Sequence, residues 1–216
     1  MEKKSVDFAA MPQTALRVIT SPAAFFREMP KTGGVLEPLV FMMVMAVVMA
    51  VVNAVLGLAG LKFVLGVGMA IAGVIITPII AAIGGFIGAA ILFVIWKLMG
   101  SQEPYETAYR CIAYLSALMP VLTVAGIIPY AGLLITFAAW TYFLVTASIE
   151  AHKILSRKAW VVFGIIGAAL FLISLGAQMT ARTLQPKMEQ QLKEMQKGSE
   201  EMQKKLEEMQ RRMQKQ

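Results

Sequence analysis

The sequence predicts an all-α protein that crosses a membrane several times, and three observations lead to this fold class. The chain is 58% hydrophobic and 15% charged, with a mean hydropathy of +0.68, unlike an average soluble domain. Between Pro38 and Gln178 only nine Asp, Glu, Lys or Arg residues occur, mostly in three short clusters. The clusters leave apolar pieces of about 20 residues, the length that crosses ~30 Å of hydrocarbon at ~1.5 Å per residue. We therefore expect a polytopic helical membrane protein with five transmembrane helices and a C-terminal extramembrane helix.

The N-terminal arm, residues 1–36, is predicted to hold two short helices, over about Pro12–Thr20 and Ser21–Pro30. Phe25 and Phe26 lie beside basic residues, a pattern that fits helices lying at the level of the lipid headgroups. The same pattern fits ordinary helices that pack against the membrane bundle. Both interpretations of the arm stay open at this stage.

The membrane domain is predicted over residues 37–179. Its long charge-free stretch from Phe63 has a single break, at Thr77–Pro78. We therefore expect a lead-in segment through about Gly73 that precedes span two. This lead-in is interfacial, tilted or re-entrant. The five predicted spans are about 38–61, 74–96, 106–125, 130–149 and 159–178.

The distribution of basic residues predicts the orientation of these spans. With the N-terminus inside, ten Lys or Arg residues fall on short inside segments and only Lys62 falls on an outside connection. The C-terminal tail is then on the opposite side. A second crossing between Phe63 and Met99 would move the later basic connections outside, so five spans are preferred. We expect an integral membrane protein with a cytoplasmic N-terminus.

The tail, residues 184–216, carries a heptad pattern of apolar residues, and its Glu–Lys and Glu–Arg pairs at i,i+4 spacing support a helix. Gly198–Ser199 interrupts the pattern. The tail therefore fits a self-associating or bundle-packed coiled coil, and it also fits a solvated or membrane-lying amphipathic helix. The tail seam consists of Met188, Leu192, Met195, Met202, Leu206, Met209 and Met213.

Residues that carry catalysis are scarce, so no enzyme is predicted. His152 is the only histidine, and its position in a polar connection predicts a solvated interface residue. Cys111, the only cysteine, is expected to be buried and inert. The sequence contains no phosphate-binding loop, no Gly-x-Ser-x-Gly elbow and no His-Glu-x-x-His motif. We expect no cofactor, no metal and no nucleic-acid partner, since the basic residues flank apolar segments and suit lipid headgroups.

Several residues in or near the spans are candidates for a partner surface or a solute path. Asn53 lies deep in span one and predicts an interhelical hydrogen bond or a path lining. Arg110, four residues after Glu106, predicts a local ion pair at the interface or a ligand site. The candidate partner or path residues are Glu37, Pro38, Asn53, Pro78, Arg110 and Tyr114. Small residues that predict close helix packing are Gly84, Gly88, Gly164 and Gly167.

Short motifs such as Ala108-Tyr109-Arg110-Cys111 and Ile128-Pro129-Tyr130-Ala131-Gly132 occur in a particular order and spacing. In that order the chain resembles the Yip1-domain family of integral membrane proteins, bacterial type, over about Pro12–Leu175. The resemblance implies five membrane helices, a cytosolic N-terminus and a location in a bacterial cytoplasmic membrane. Eukaryotic members act in membrane trafficking and bind small GTPases and one another. Glu37-Pro38-Leu39 is only a loose match to their acidic Asp-Leu-x-Gly-Pro motif, so we do not transfer that role. The tail lies outside the family pattern.

Two functions fit these features. The first is a non-enzymatic integral membrane scaffold or adaptor that organises other membrane proteins, with a self-associating tail and a homo-oligomeric state. The second is a small-solute or lipid-handling transporter or channel that uses the stretch Phe63–Pro78 and Asn53. No predicted span has a charge near its centre, where an ionised group costs ~2.5–3.5 kcal/mol. The sequence therefore favours the scaffold, and a polar cavity near Asn53 and Pro78 would reverse that order.

Overall fold

The computed structural model describes residues 7–60 and 67–213, with side chains undescribed at 67–70 and at most positions beyond Ala181. Over these residues the chain folds into helices and contains no strand. The helices of the described residues are α1 (Met11–Thr20), α2 (Pro22–Glu28), α3 (Leu36–Leu58), α4 (Val67–Leu98), α5 (Tyr105–Leu115), α6 (Leu118–Ala125), α7 (Ala131–Glu150) and α8 (Ser156–Met213).

Four of these helices are long and apolar enough to cross a membrane within the described ranges. Helices α5 and α6 together form a further candidate span that is bent by 43° between them. The all-helical membrane fold is thus confirmed, with four spans, or five if the bent pair is one. The four straight candidates cover Leu36–Leu58, Ile71–Leu98, Ala131–Glu150 and Ser156–Ala181.

The long charge-free stretch forms one helix over the part that the structure describes. Helix α4 runs from Val67 to Leu98 with Pro78 inside it, so residues 67–73 continue into the span. The predicted lead-in is helical and continuous with the span over residues 67–73, and its earlier part lies outside the described residues. A proline inside a membrane helix is tolerated where neighbouring groups re-satisfy the freed carbonyl, and Pro78 is buried.

The third predicted span is divided in two at Ser116 and Ala117. Pro120 has no N–H to give to the carbonyl four residues before it. The carbonyl of Ser116 instead accepts a hydrogen bond from Met119 N at 3.0 Å. Two further hydrogen bonds at this break also join residues three apart in place of four. Ser116 N donates to Ala113 O, and Ala117 N donates to Tyr114 O. The proline was visible in the sequence, and it explains the bend.

The two ends of the bent pair lie at opposite ends of the bundle. At the start of α5, Glu106 accepts a hydrogen bond from Gly34 N, just before α3. At the end of α6, the carbonyl of Ala125 lies against Gly132 at the start of α7. Helix α7 then returns, because Glu150 at its end pairs with helix α2. The pair therefore runs the length of the bundle.

Helices α1 and α2 pack against the bundle. Val18 and Phe26 are fully buried, and Phe25 is 9% exposed. The Phe25 ring meets the Tyr114 ring of α5 edge-on, with centroids 5.1 Å apart. These contacts favour the second interpretation of the arm, in which its aromatic residues are buried in protein.

Close approach between helices occurs at Gly85 and Gly167. A β-carbon at Gly85 would lie 2.5 Å from Met42 Cε of α3, and one at Gly167 would collide with Thr141 Oγ1 of α7. Gly85 follows Gly84 by one residue, about 100° round the helix, and it is the glycine of the two that lies against Met42 of α3. No described atom lies within 4 Å of a β-carbon placed on Gly84, Gly88 or Gly164.

Helix α8 is continuous through Pro186, so the expected start of a separate tail helix near residue 184 is not marked by a break. The chain divides into two compact units, Met1–Phe171 and Leu172–Gln216. In the second unit, Met195 and Met202 are 67% and 65% exposed. The side chains of the other seam residues lie outside the described ones, namely Met188, Leu192, Leu206, Met209 and Met213.

Candidate functional site

Buried polar side chains gather at one end of the bundle, which we call the arm-facing end. It is formed by the starts of α3, α5 and α8, the ends of α4 and α7, and the two short helices of the arm. The polar side chains that are fully or almost fully buried at this end are Ser101, Thr107, Arg110, Ser148 and His152.

Arg110 joins the arm to α5. Its side chain is only 2% exposed, its Nη2 donates to Gly34 O at 2.7 Å, and its Nε donates to Glu106 Oε1 at 3.3 Å. The same carboxylate oxygen accepts from Gly34 N at 2.7 Å. Both backbone polar groups of Gly34 are thus bound by one ion pair. The predicted Glu106–Arg110 pair is present, with Arg110 buried and Glu106 27% exposed, and it reaches a segment 76 residues away.

Two glycines allow the backbone to lie on this ion pair. Gly33 and Gly34 have φ angles of 120° and 89°, which side chains with a β-carbon rarely adopt. A β-carbon at Gly33 would also lie 3.2 Å from Arg110 Nη2. The Gly33–Gly34 pair therefore permits the contact that holds the arm at this end.

His152 lies in a buried group of side chains, so the prediction of a solvated histidine is wrong. It is 3% exposed, and its ring stacks on Trp96 with centroids 3.9 Å apart. Its Nδ1 lies 2.9 Å from Ser101 Oγ, and Trp96 Nε1 donates to Ser148 Oγ at 2.7 Å. The polar connection after α7 is thus folded inward and packs on the end of α4.

Burial, with a further contribution from the positive charges of Lys31 and Lys97, lowers the pKa of His152 to about 3 from its usual 6.5. The folded protein therefore holds a neutral imidazole at neutral pH. Its Cys111 neighbour, 3.9 Å from Nε2, is also fully buried. We assign this group of residues a packing role.

The low pKa of His152 makes stability depend on pH in a predictable direction. Below pH 6.5 the unfolded chain binds a proton at His152 that the folded chain does not bind until about pH 3. The contribution of His152 is therefore full above pH 6.5 and falls as the pH drops, by about 1.4 kcal/mol per unit between the two values. When the free energy of unfolding is measured in detergent, we expect no contribution of His152 to the slope from pH 7.5 to pH 6.5 and this slope from pH 6.5 to pH 4.5.

The variant His152→Gln is the control for this slope, because the other titrating groups remain. The difference between the two pH profiles should isolate the histidine. Profiles that run parallel from pH 6.5 to pH 4.5 would contradict a buried neutral His152.

Ion pairs at the surface also connect the arm with the arm-facing end. Arg27 donates two hydrogen bonds to Glu150, of 2.8 and 2.9 Å, and the pKa of Arg27 rises above its usual value because of that carboxylate. Lys31 pairs with Glu103 of the α4–α5 connection. Exposed pairs of this kind contribute little stability each. They fix which surfaces of the arm and the bundle meet.

A second feature is an apolar cleft of about 250 Å³ among the spans. Its walls come from α3, α4, the α5–α6 pair and α7, and among the described residues of the lining Ser116 alone carries a hydroxyl, amide or charged group. Asn53 and Pro78 are not in its lining. The cleft is lined by Met42, Ala46, Met49, Ala81, Gly84, Gly85, Ile112, Ser116, Met119 and Trp140.

The remaining predicted site residues lie apart from the cleft. Tyr114 is 6% exposed and packs on Phe41, with centroids 5.2 Å apart. Glu37 is exposed and Pro38 is buried at the start of α3, and Glu37 and Tyr114 border a small cavity of about 50 Å³. Asn53 is half-buried in α3.

The residues that sequence reasoning missed are Trp96 as a buried stacking partner, Ser101 and Ser148. Trp96 beside Lys97 has the pattern of an interface anchor, and its partners lie 52 and 56 residues further along the chain. No local pattern marks such a contact. Among the described residues, no three His, Cys, Asp or Glu side chains are placed to hold a metal ion together.

Comparison with known protein families gives a match over most of the chain. The family model described as the Yip1 domain matches residues 16–177. No curated protein matches the chain, and no solved structure matches it.

Proposed function

The chain belongs to the Yip1-domain family, and from that premise we propose that it is a non-enzymatic membrane scaffold or adaptor that organises other membrane proteins. The family match and the apolar helices make it an integral membrane protein with a membrane-associated role. The scaffold function, its partners and its oligomeric state form the proposal.

One observation carries the proposal: the buried polar groups of the arm-facing end bind the protein to itself. Arg110 and Glu106 bind Gly34, and His152 and Trp96 bind serines. The contacts with Gly34 hold the folded arm against the bundle at the membrane border, and the contacts with serines hold the ends of α4 and α7 together. A fixed extramembrane surface of this kind is suited to binding partner proteins.

A solute transporter is less well supported. A path for a polar solute needs polar groups in the spans, and the cleft is almost wholly apolar. Asn53 and Pro78, the residues predicted for such a path, do not border it. We therefore rank solute transport second.

We further propose that the bent α5–α6 pair is the third of five spans, with the N-terminus cytoplasmic and the tail on the opposite side of a bacterial cytoplasmic membrane. The contacts at its two ends support one full crossing. Four of the basic residues predicted to be inside lie at the arm-facing end, namely Arg27, Lys31, Arg110 and Lys158. Their shared location fits the positive-inside rule.

Self-association through the tail is tested by cysteine crosslinking in membranes of the full chain. In a Cys111→Ala background, Met195→Cys and Met202→Cys should each give a crosslinked dimer with a short bis-maleimide. Both positions are exposed and both lie on the predicted seam, which would place like residues of two copies side by side. A membrane-impermeant reagent added to right-side-out vesicles should reach them.

Lys197→Cys and Lys204→Cys are the matched controls. Each lies two residues after a seam methionine, which places it about 200° round the helix from that methionine. They should give far less dimer. Equal crosslinking at seam and control positions, or none at either, would refute the self-associating tail. Reaction only in inside-out vesicles would refute the proposed orientation.

A further inference from the structure

We propose that the apolar cleft binds one acyl chain of a membrane phospholipid. This inference does not depend on the scaffold function. It concerns the cleft alone, whose lining belongs to α3, α4, the α5–α6 pair and α7.

The cleft lies at a depth where the surrounding medium is hydrocarbon. Met42 is six residues after the start of α3, and Trp140 is ten residues before the end of α7. At ~1.5 Å per residue these positions lie about 9 and 15 Å from the arm-facing end. In a layer ~30 Å thick, that depth lies well inside the acyl region.

The lining accepts an apolar ligand and offers little to a polar one. The hydroxyl of Ser116 already donates to Ala113 O at 2.6 Å, so it does not need a ligand. Three methionines, Met42, Met49 and Met119, supply flexible side chains that adjust to an irregular apolar shape. An alkyl chain matches this chemistry, whereas a hydrated solute would lose its hydrogen bonds there.

The cleft can be reached from the lipid. Gly84 borders it and has no described atom within 4 Å of its β-carbon position. On the same helix Ile80, Ile83 and Ile87 are 63%, 58% and 58% exposed. This part of α4 meets acyl chains in a membrane, so a chain can enter sideways. The volume of about 250 Å³ is below the ~300–1,000 Å³ of drug-sized pockets, which suits part of one chain and excludes a whole lipid.

Trp140 in the lining provides a direct probe. In the variant Trp160→Phe, which removes an exposed tryptophan, a phospholipid with dibrominated acyl chains should quench Trp140 fluorescence of the protein in detergent micelles. Native mass spectrometry of the same protein should show one bound phospholipid. Trp96 is fully buried at the arm-facing end and gives the unquenched background.

The variant Ala81→Leu should fill the cleft, and Ala90→Leu adds the same atoms at an exposed position of the same helix. The added atoms occupy the space of the alkyl chain, so the chain is excluded by steric overlap and loses its packing contacts with the lining. Quenching and the bound lipid should be lost in Ala81→Leu and retained in Ala90→Leu. Ala46→Leu, on the opposite wall, should repeat the loss if one variant folds poorly.

Three results would overturn the proposal. They are the absence of a bound phospholipid in the unaltered protein, equal quenching in the Ala81→Leu and Ala90→Leu variants, and a lipid-free dimer that Ala81→Leu dissociates. The last result would identify a second copy of the chain as the occupant. None of these outcomes bears on crosslinking of the tail, so the two proposals fail separately.

Discussion

Replacing Arg110 with methionine should lower the free energy of unfolding by about 3 kcal/mol, near the lower end of the cost for a buried ion pair, because Glu106 is 27% exposed and water can reach its carboxylate. Arg110 is 2% exposed and donates to both Glu106 and Gly34 O. Its loss leaves the Glu106 carboxylate without its cation and the Gly34 carbonyl without this donor. Unfolding of the full chain in mixed micelles, titrated with a denaturing detergent, measures the change.

Arg157→Met is the matched control, because Arg157 is exposed at the start of α8 and its loss should change stability by no more than about 0.5 kcal/mol. Arg110→Lys should fall between the two, since an ammonium keeps the charge but cannot reproduce the geometry of the guanidinium. A loss below 1 kcal/mol in Arg110→Met would show that the ion pair does not hold the arm.

Replacing Trp96 with alanine should have a similar effect, a loss of about 3–5 kcal/mol, because it opens a cavity at a fully buried aromatic position. Trp96 is 0% exposed and contacts His152 and Phe163 as well as Ser148. Its removal therefore loosens α4 from both the end of α7 and the beginning of α8. The same detergent titration measures the loss.

Trp160→Ala provides the comparison for Trp96→Ala, since Trp160 is 48% exposed and fewer protein contacts are lost. Trp96→Phe should cost less than Trp96→Ala, because most of the ring volume remains. If Trp160→Ala were as destabilising as Trp96→Ala, the stacked Trp96–His152 group would not be the packing centre of this end.

Much of the fold follows from local features of the sequence. The first predicted span, 38–61, agrees with α3 at Leu36–Leu58, and the fourth, 130–149, agrees with α7 at Ala131–Glu150. Hydropathy and length give these bounds because each transmembrane helix satisfies its own backbone hydrogen bonds and needs no partner to do so. The same reasoning missed the break at Ser116, although Pro120 was present to indicate it.

The candidate site was predicted only in part. The Glu106–Arg110 pair was expected because it lies within one helical turn. The third member of that contact, Gly34, is 76 residues away in sequence, and the stacking of His152 on Trp96 spans 56 residues. The connection after α7 was predicted to be solvated because its residues are polar. No local sequence pattern indicates that another segment covers them.

The sequence by itself determined the membrane class, the position of most spans and the helical arm, because apolar length, proline and charge act locally on each segment. The tertiary structure decided which polar residues are buried, where α4 approaches α3, and that the spans enclose an apolar cleft. Those properties depend on which faces of separate helices meet. A shift of one residue, from Gly84 to Gly85, turns a helix by about 100° and changes the face that packs.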